Sequence, residues 1–130
     1  MPQFSRSLRR LLAALLIVYA FPAVAAAQGS LKIPTLAAST AAAADWASTY
    51  HALKYYKVRE TNPILRPLEA SPASLITVGG LIDAGSVAAW NLTVGRSNAR
   101  VAAAGLWAMA AFRAYIAIHN LRNERTAERR

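Results

Sequence analysis

Long apolar stretches alternate with short polar ones along this chain. After the N-terminal region the apolar stretches are residues 36–56, 74–92 and 101–121, each long enough for a helix of several turns. No run shows the two-residue alternation of a half-buried strand. The pattern predicts an all-α protein built on three helices. Thr35, following Pro34, is placed to cap the first. Ser71-Pro72 opens the second, and Ser97 or Asn98 can cap the third. Residues 57–73 read as a loop interrupted by Pro63, Pro67 and Pro72, in which Asn62-Pro63 can start a single helical turn.

Small residues mark where these helices would approach one another. Gly85-x-x-x-Ala89 and Ala104-x-x-x-Ala108 both fit the small-residue spacing of closely packed membrane helices. Trp90 and Trp107 fall toward one end of their stretches and Tyr50, Tyr55, Tyr56 and Tyr115 toward the other, as aromatic belts at two interfaces would. The first stretch is the least apolar. It is mostly Ala and carries Ser39, Thr40, Asp45, Ser48, Thr49, His51 and Lys54, so it either packs that polar face against the other helices or lies along a membrane surface.

The first 27 residues read as a secretory signal. Arg6, Arg9 and Arg10 form a basic start, residues 11–24 an apolar core, and Ala25-Ala26-Ala27 a small-residue cleavage site before Gln28. The apolar core is shorter than the ~20 residues a spanning helix needs. Cleavage after Ala27 is the expectation, and an uncleaved anchor kinked at Pro22 the alternative. The division that follows is a signal at 1–27, a leader at 28–35, a three-helix membrane domain at 36–121 and a basic, frayed cytoplasmic tail at 122–130.

Composition agrees with a lipid-facing surface. The chain is 55% hydrophobic and 16% charged, against roughly 25% charged in average soluble domains. It has no cysteine, which excludes disulfides, thiolate metal sites and a cysteine nucleophile. A net charge of +9 raises nucleic acid as a partner, but the basic residues cluster between and beyond the apolar stretches and no nucleic-acid-binding motif accompanies them. With the start of the mature chain outside, three crossings put Lys57, Arg59, Arg66, Arg122, Arg125, Arg129 and Arg130 in the cytoplasm and leave Lys32, Arg96 and Arg100 outside. That asymmetry obeys the positive-inside rule. The localisation expected is a bacterial inner membrane, with a soluble helical periplasmic protein as the competing reading.

Three charges then fall at bilayer depth. Counted from the outer ends at ~1.5 Å per residue, Asp45 and Asp83 lie about 13–14 Å down and Arg113 about 18 Å. Charge at that depth requires a partner or a wet cavity. Arg113 can grip one carboxylate through two parallel hydrogen bonds, leaving the other able to exchange a proton. The three residues are therefore expected to face one another, either as an ion cluster that sets helix register in a structural subunit or assembly partner, or as the centre of a proton- or ion-coupled transport component.

Other chemistry is sparse. His51 and His119, toward the inner ends of their helices, lack further ligands at helical spacing, so no metal or haem is assigned and no cofactor is expected. Ser48 and His51 are neighbours on one helix, but no third group orients the histidine, and no catalytic residue is assigned. The partners expected are membrane lipid and a membrane protein or second copy.

One motif remains. Asp45-x-x-x-Thr49 is followed by Glu60-x-Asn62-Pro63 and by the apolar pair Ile64-Leu65. This resembles a small membrane-protein domain of bacteria and archaea, a domain family of unknown function, whose members carry an Asp and a Thr on the first membrane helix and a Glu-x-Asn-Pro element in the loop after it. The resemblance runs over roughly residues 40–120 and implies a membrane fold without implying any catalytic or binding role. Asp45 and Thr49 share a helix face, and Glu60 can accept from amides freed where Asn62-Pro63 restarts the chain. The fold expected is a three-helix transmembrane bundle following an N-terminal signal peptide.

Overall fold

The computed structural model describes residues 6, 9–15, 17, 24, 27–56 and 63–128. Among the described residues there are helices and turns and no strand. Three long helices carry the fold: α1 (Lys32–Tyr55), α2 (Pro72–Leu92) and α3 (Ala99–Glu128). A 3-10 turn, Gly29–Leu31, leads into α1, and another, Arg66–Leu68, precedes α2. A single α-helical turn, Val94–Ser97, joins α2 to α3.

Two of the expected caps form. The Ser71 hydroxyl accepts from the Ser74 amide at 3.4 Å, with Pro72 in the first helical position. Asn98 Oδ1 accepts from the Val101 amide at 3.1 Å. The cap expected at Thr35 does not form. α1 starts earlier, at Lys32, because Pro34 falls in the first turn, where its missing N–H leaves no hydrogen bond unmade. Thr35 is a fully buried residue of the helix interior. The tail is corrected as well. Instead of fraying after Leu121, α3 continues to Glu128 through a stretch with neither Gly nor Pro, and Glu124 is buried on the way.

α1 and α3 lie side by side and parallel, while α2 runs antiparallel against α1 and meets α3 little. Among the described residues the bundle has two apolar cores. One gathers Ala43, Trp46, Ala47, Leu65, Leu75 and Ile76, with Leu15 from the N-terminal segment. The other, toward the α2–α3 connection, gathers Leu31, Ala38, Val87, Ala102, Leu106 and Ala110, with Ala27.

Alanine on α1 permits close approach, but the expected small-residue pairs are not the seams. Gly85, Ala89, Ala104 and Ala108 are all exposed, and open space surrounds Gly85. The close contacts occur where an indole crosses a glycine: a side chain at Gly79 would run into the Trp46 ring, and a Cβ at Gly105 would lie 2.6 Å from Trp90 Cζ2. Trp90 is accordingly an interhelical residue, its Nε1 donating to the Ala102 carbonyl at 3.1 Å. Trp107, Tyr55 and Tyr115 do face outward.

Two helical stretches, Pro72–Ser97 and Ala99–Thr126, are long and apolar enough to cross a membrane. Only 28% and 17% of their apolar windows are buried in the bundle, so most of that apolar surface faces out.

Candidate functional site

The centre of the bundle is a layer of charge. Asp45 lies mid-way along α1, Asp83 mid-way along α2 and Arg113 mid-way along α3. Arg113 Nη1 donates to Asp45 Oδ2 at 2.6 Å, and its Nη2 donates to Asp83 Oδ1. The guanidinium therefore divides its two ends between two carboxylates and does not grip one of them with both, as the sequence had suggested. Delocalised charge and a rigid planar fork make Arg suited to this bridge.

The remaining carboxylate oxygens also have donors. Trp46 Nε1 donates to Asp83 Oδ2 at 2.6 Å, and the Thr49 hydroxyl donates to Asp45 Oδ1 at 3.5 Å. All four carboxylate oxygens are thus occupied. The Trp46 ring also faces the guanidinium, 5.6 Å from Arg113 Cζ to the ring centroid, within the range of a cation–π contact. Asp45 is the more enclosed of the two acids, with 4% of its side chain exposed against 13% for Asp83.

Polar tiers continue on both sides of this layer, along the α1–α3 seam on one side and the α1–α2 seam on the other. Toward the C-terminal ends of α1 and α3, Asn120 Nδ2 donates to both Ser48 Oγ and Thr49 Oγ1, each at 3.1 Å, and Ser48 donates to the Asp45 carbonyl at 2.8 Å. One turn further, His51 Nδ1 lies 3.3 Å from Glu124 Oε1, with Glu124 buried. At the opposite end, α1 meets α2 through a buried pair: Asn91 Nδ2 donates to Thr35 Oγ1 at 3.0 Å and to the Val87 carbonyl at 3.1 Å, while Thr35 donates to Asn91 Oδ1 at 3.3 Å.

Of the residues the sequence singled out, the structure joins Asp45, Asp83, Arg113 and Thr49 in one hydrogen-bonded group. Pro63 is exposed at the start of a turn, and Glu60 and Asn62 lie outside the described residues. Ser48 directs its hydroxyl to a backbone carbonyl and receives Asn120, so it forms no nucleophile pair with His51. His119 is exposed and stacks on Tyr115, with ring centroids 6.1 Å apart, while His51 faces Tyr55, Tyr56 and Glu124. No set of three His, Cys, Asp or Glu side chains among the described residues could hold a metal ion.

Sequence reading missed Trp46, Asn91, Asn120 and Glu124. A usable signal existed for two of them. Asn120 and Glu124 follow Arg113 by two and three helical turns, which returns them to its face of α3. Comparison with protein-family models, with curated proteins and with solved structures finds no match to this chain.

Proposed function

We propose that the chain is a small integral protein of a bacterial inner membrane, a bundle in which α1, α2 and α3 each cross the bilayer, and that it serves as a structural subunit or assembly partner. The observation that carries this reading is the placement of polarity. Asn91 and Asp45 are 1% and 3% exposed, whereas Leu81 and Phe112 are both 61% exposed. In water such a surface would leave a large apolar area unsheltered. In lipid it is the arrangement that satisfies both parts, since polar groups face the bundle interior and apolar side chains face the acyl chains. The Gln28 end lies outside and the tail in the cytoplasm, the orientation supported by Lys57, Arg59, Arg66, Arg122 and Arg125 on one side.

The charged layer supports a structural role over an ion-coupled one, because each carboxylate oxygen already has a donor within the bundle. A buried, fully partnered polar cluster specifies how helices align. The exposed apolar faces of α2 and α3 are then available to lipid and to a membrane partner or second copy. Resistance of the protein to carbonate extraction, with reporters fused after residues 66 and 125 both active in the cytoplasm, is the expected outcome. Mild-detergent purification should recover a defined complex; a carbonate-soluble protein would end the membrane reading.

A further inference from the structure

The N-terminal segment is built into both cores. Residues 9–15 are helical. Leu15 is buried in one cluster with Trp46, Leu75 and Ile76, and Leu11 and Leu12 pack on the same cluster. At the segment's other end Ala27 is buried with Leu31, Ala38 and Val87 in the second cluster. Arg9 and Leu12 also close a cavity of about 170 Å³ against Ala47 of α1 and Ala117 and Leu121 of α3. A leader destined for removal has no need to complete the interior of the protein it leaves. Without this one, the Trp46–Leu75–Ile76 cluster would lose a wall.

Reach and charge agree with that placement. The uncharged stretch from residue 11 to residue 27 holds 17 residues, the short end of what a spanning segment needs. The Arg9 end lines one cavity with Leu121 of α3, on the side of Arg122 and Arg125, and the Ala27 end joins the cluster beside the α2–α3 connection. Arg6, Arg9 and Arg10 would then lie on the cytoplasmic side with the rest of the basic residues.

We infer that the N-terminal segment is retained as a fourth membrane crossing, held to α1 and α2 through Leu11, Leu12 and Leu15, so that both chain ends lie in the cytoplasm. This rests on the membrane reading above and leaves the direction of α1, α2 and α3 unchanged.

The test is the intact mass of C-terminally tagged protein purified from carbonate-washed membranes. A mass that includes the N-terminal segment is expected. A carbonate-resistant chain starting at Gln28 overturns this inference and leaves the membrane reading standing, whereas release by carbonate overturns that reading. Leu15→Ala supplies a second measure. Retention requires the detergent-solubilised variant to melt several degrees lower than the parent, and Ile17→Ala, at an exposed position, to melt with it. Identical melting of Leu15→Ala and the parent would also overturn the inference, because a discarded segment cannot alter what remains.

Discussion

The indole N–H of Trp46 donates to Asp83 at 2.6 Å, across the seam between α1 and α2, while its ring lies over Gly79 one turn earlier on the acceptor's own helix. Trp46 follows Asp45 directly in sequence, so adjacent residues of α1 reach both carboxylates of the layer: one is itself an acid, the other a donor to its counterpart. Trp46→Phe keeps most of the ring and removes the donor. It should lower stability by about 1–3 kcal/mol, the usual effect of leaving a buried acceptor short of a partner. Thermal unfolding in detergent is the measurement, and unchanged melting would show that Asp83 does not use the bond.

Glycines on α2 should differ sharply in their tolerance. Gly79→Ala drives a methyl group into the Trp46 ring and should destabilise by about 1–3 kcal/mol, as overpacking does. Gly85→Ala meets open space and should lose nothing, since alanine is the better helix former. Equal melting of the two variants would contradict the packing at Gly79.

Arg113→Leu should be the most damaging single change in the layer, at about 3–5 kcal/mol, because it strands two buried carboxylates. Asp45→Asn should hurt more than Asp83→Asn, since Asp45 is the more enclosed. The triple change Asp45→Asn, Asp83→Asn and Arg113→Leu should accumulate better than Arg113→Leu alone, because no unpaired charge remains. Membrane levels by immunoblot rank the four variants; a triple variant no better than Arg113→Leu would refute the ion cluster.

Thr35 and Asn91 should behave as one unit. Asn91→Ala and Thr35→Val each leave a buried polar group without its partner and should each cost about 1–3 kcal/mol. Combined, they should cost less than the sum, the mark of a direct contact in a double-mutant cycle.

Glu124→Ala should loosen the end of α3 without disturbing the layer. Amide exchange should speed up over residues 122–126 and stay slow around Arg113.

The helical architecture and the charged layer were both legible in the sequence, for one reason: a charge inside a long apolar stretch demands a partner wherever it is buried. The division of Arg113 between two acids was not legible, since it depends on how far apart the helices stand. That spacing is set by Trp46 over Gly79, a contact between residues 33 apart that no local pattern announces. Local preference also misled at Thr35. A Thr after Pro is a good cap on paper, yet here burial against Asn91 places it within the helix. Gly85 and Ala89 carried a packing signature that many helices use, but the rotation of α2 that puts Asp83 on Arg113 turns them outward.

The bridge across the layer has a consequence in time. Asp45 and Arg113 are 68 residues apart, so at roughly 5–20 residues per second the ribosome takes about 3–14 s to supply the second after the first. Over the last 30 residues of that interval, from Asp83 to Arg113, the nascent chain holds both acids of the layer and not yet the arginine that joins them. The first two helices cannot complete the charged layer by themselves, because the group that bridges their two acids belongs to the third. Arg113 is thus the keystone of assembly as well as its chemical centre, and a chain truncated before it should be an unfinished object that quality control can recognise.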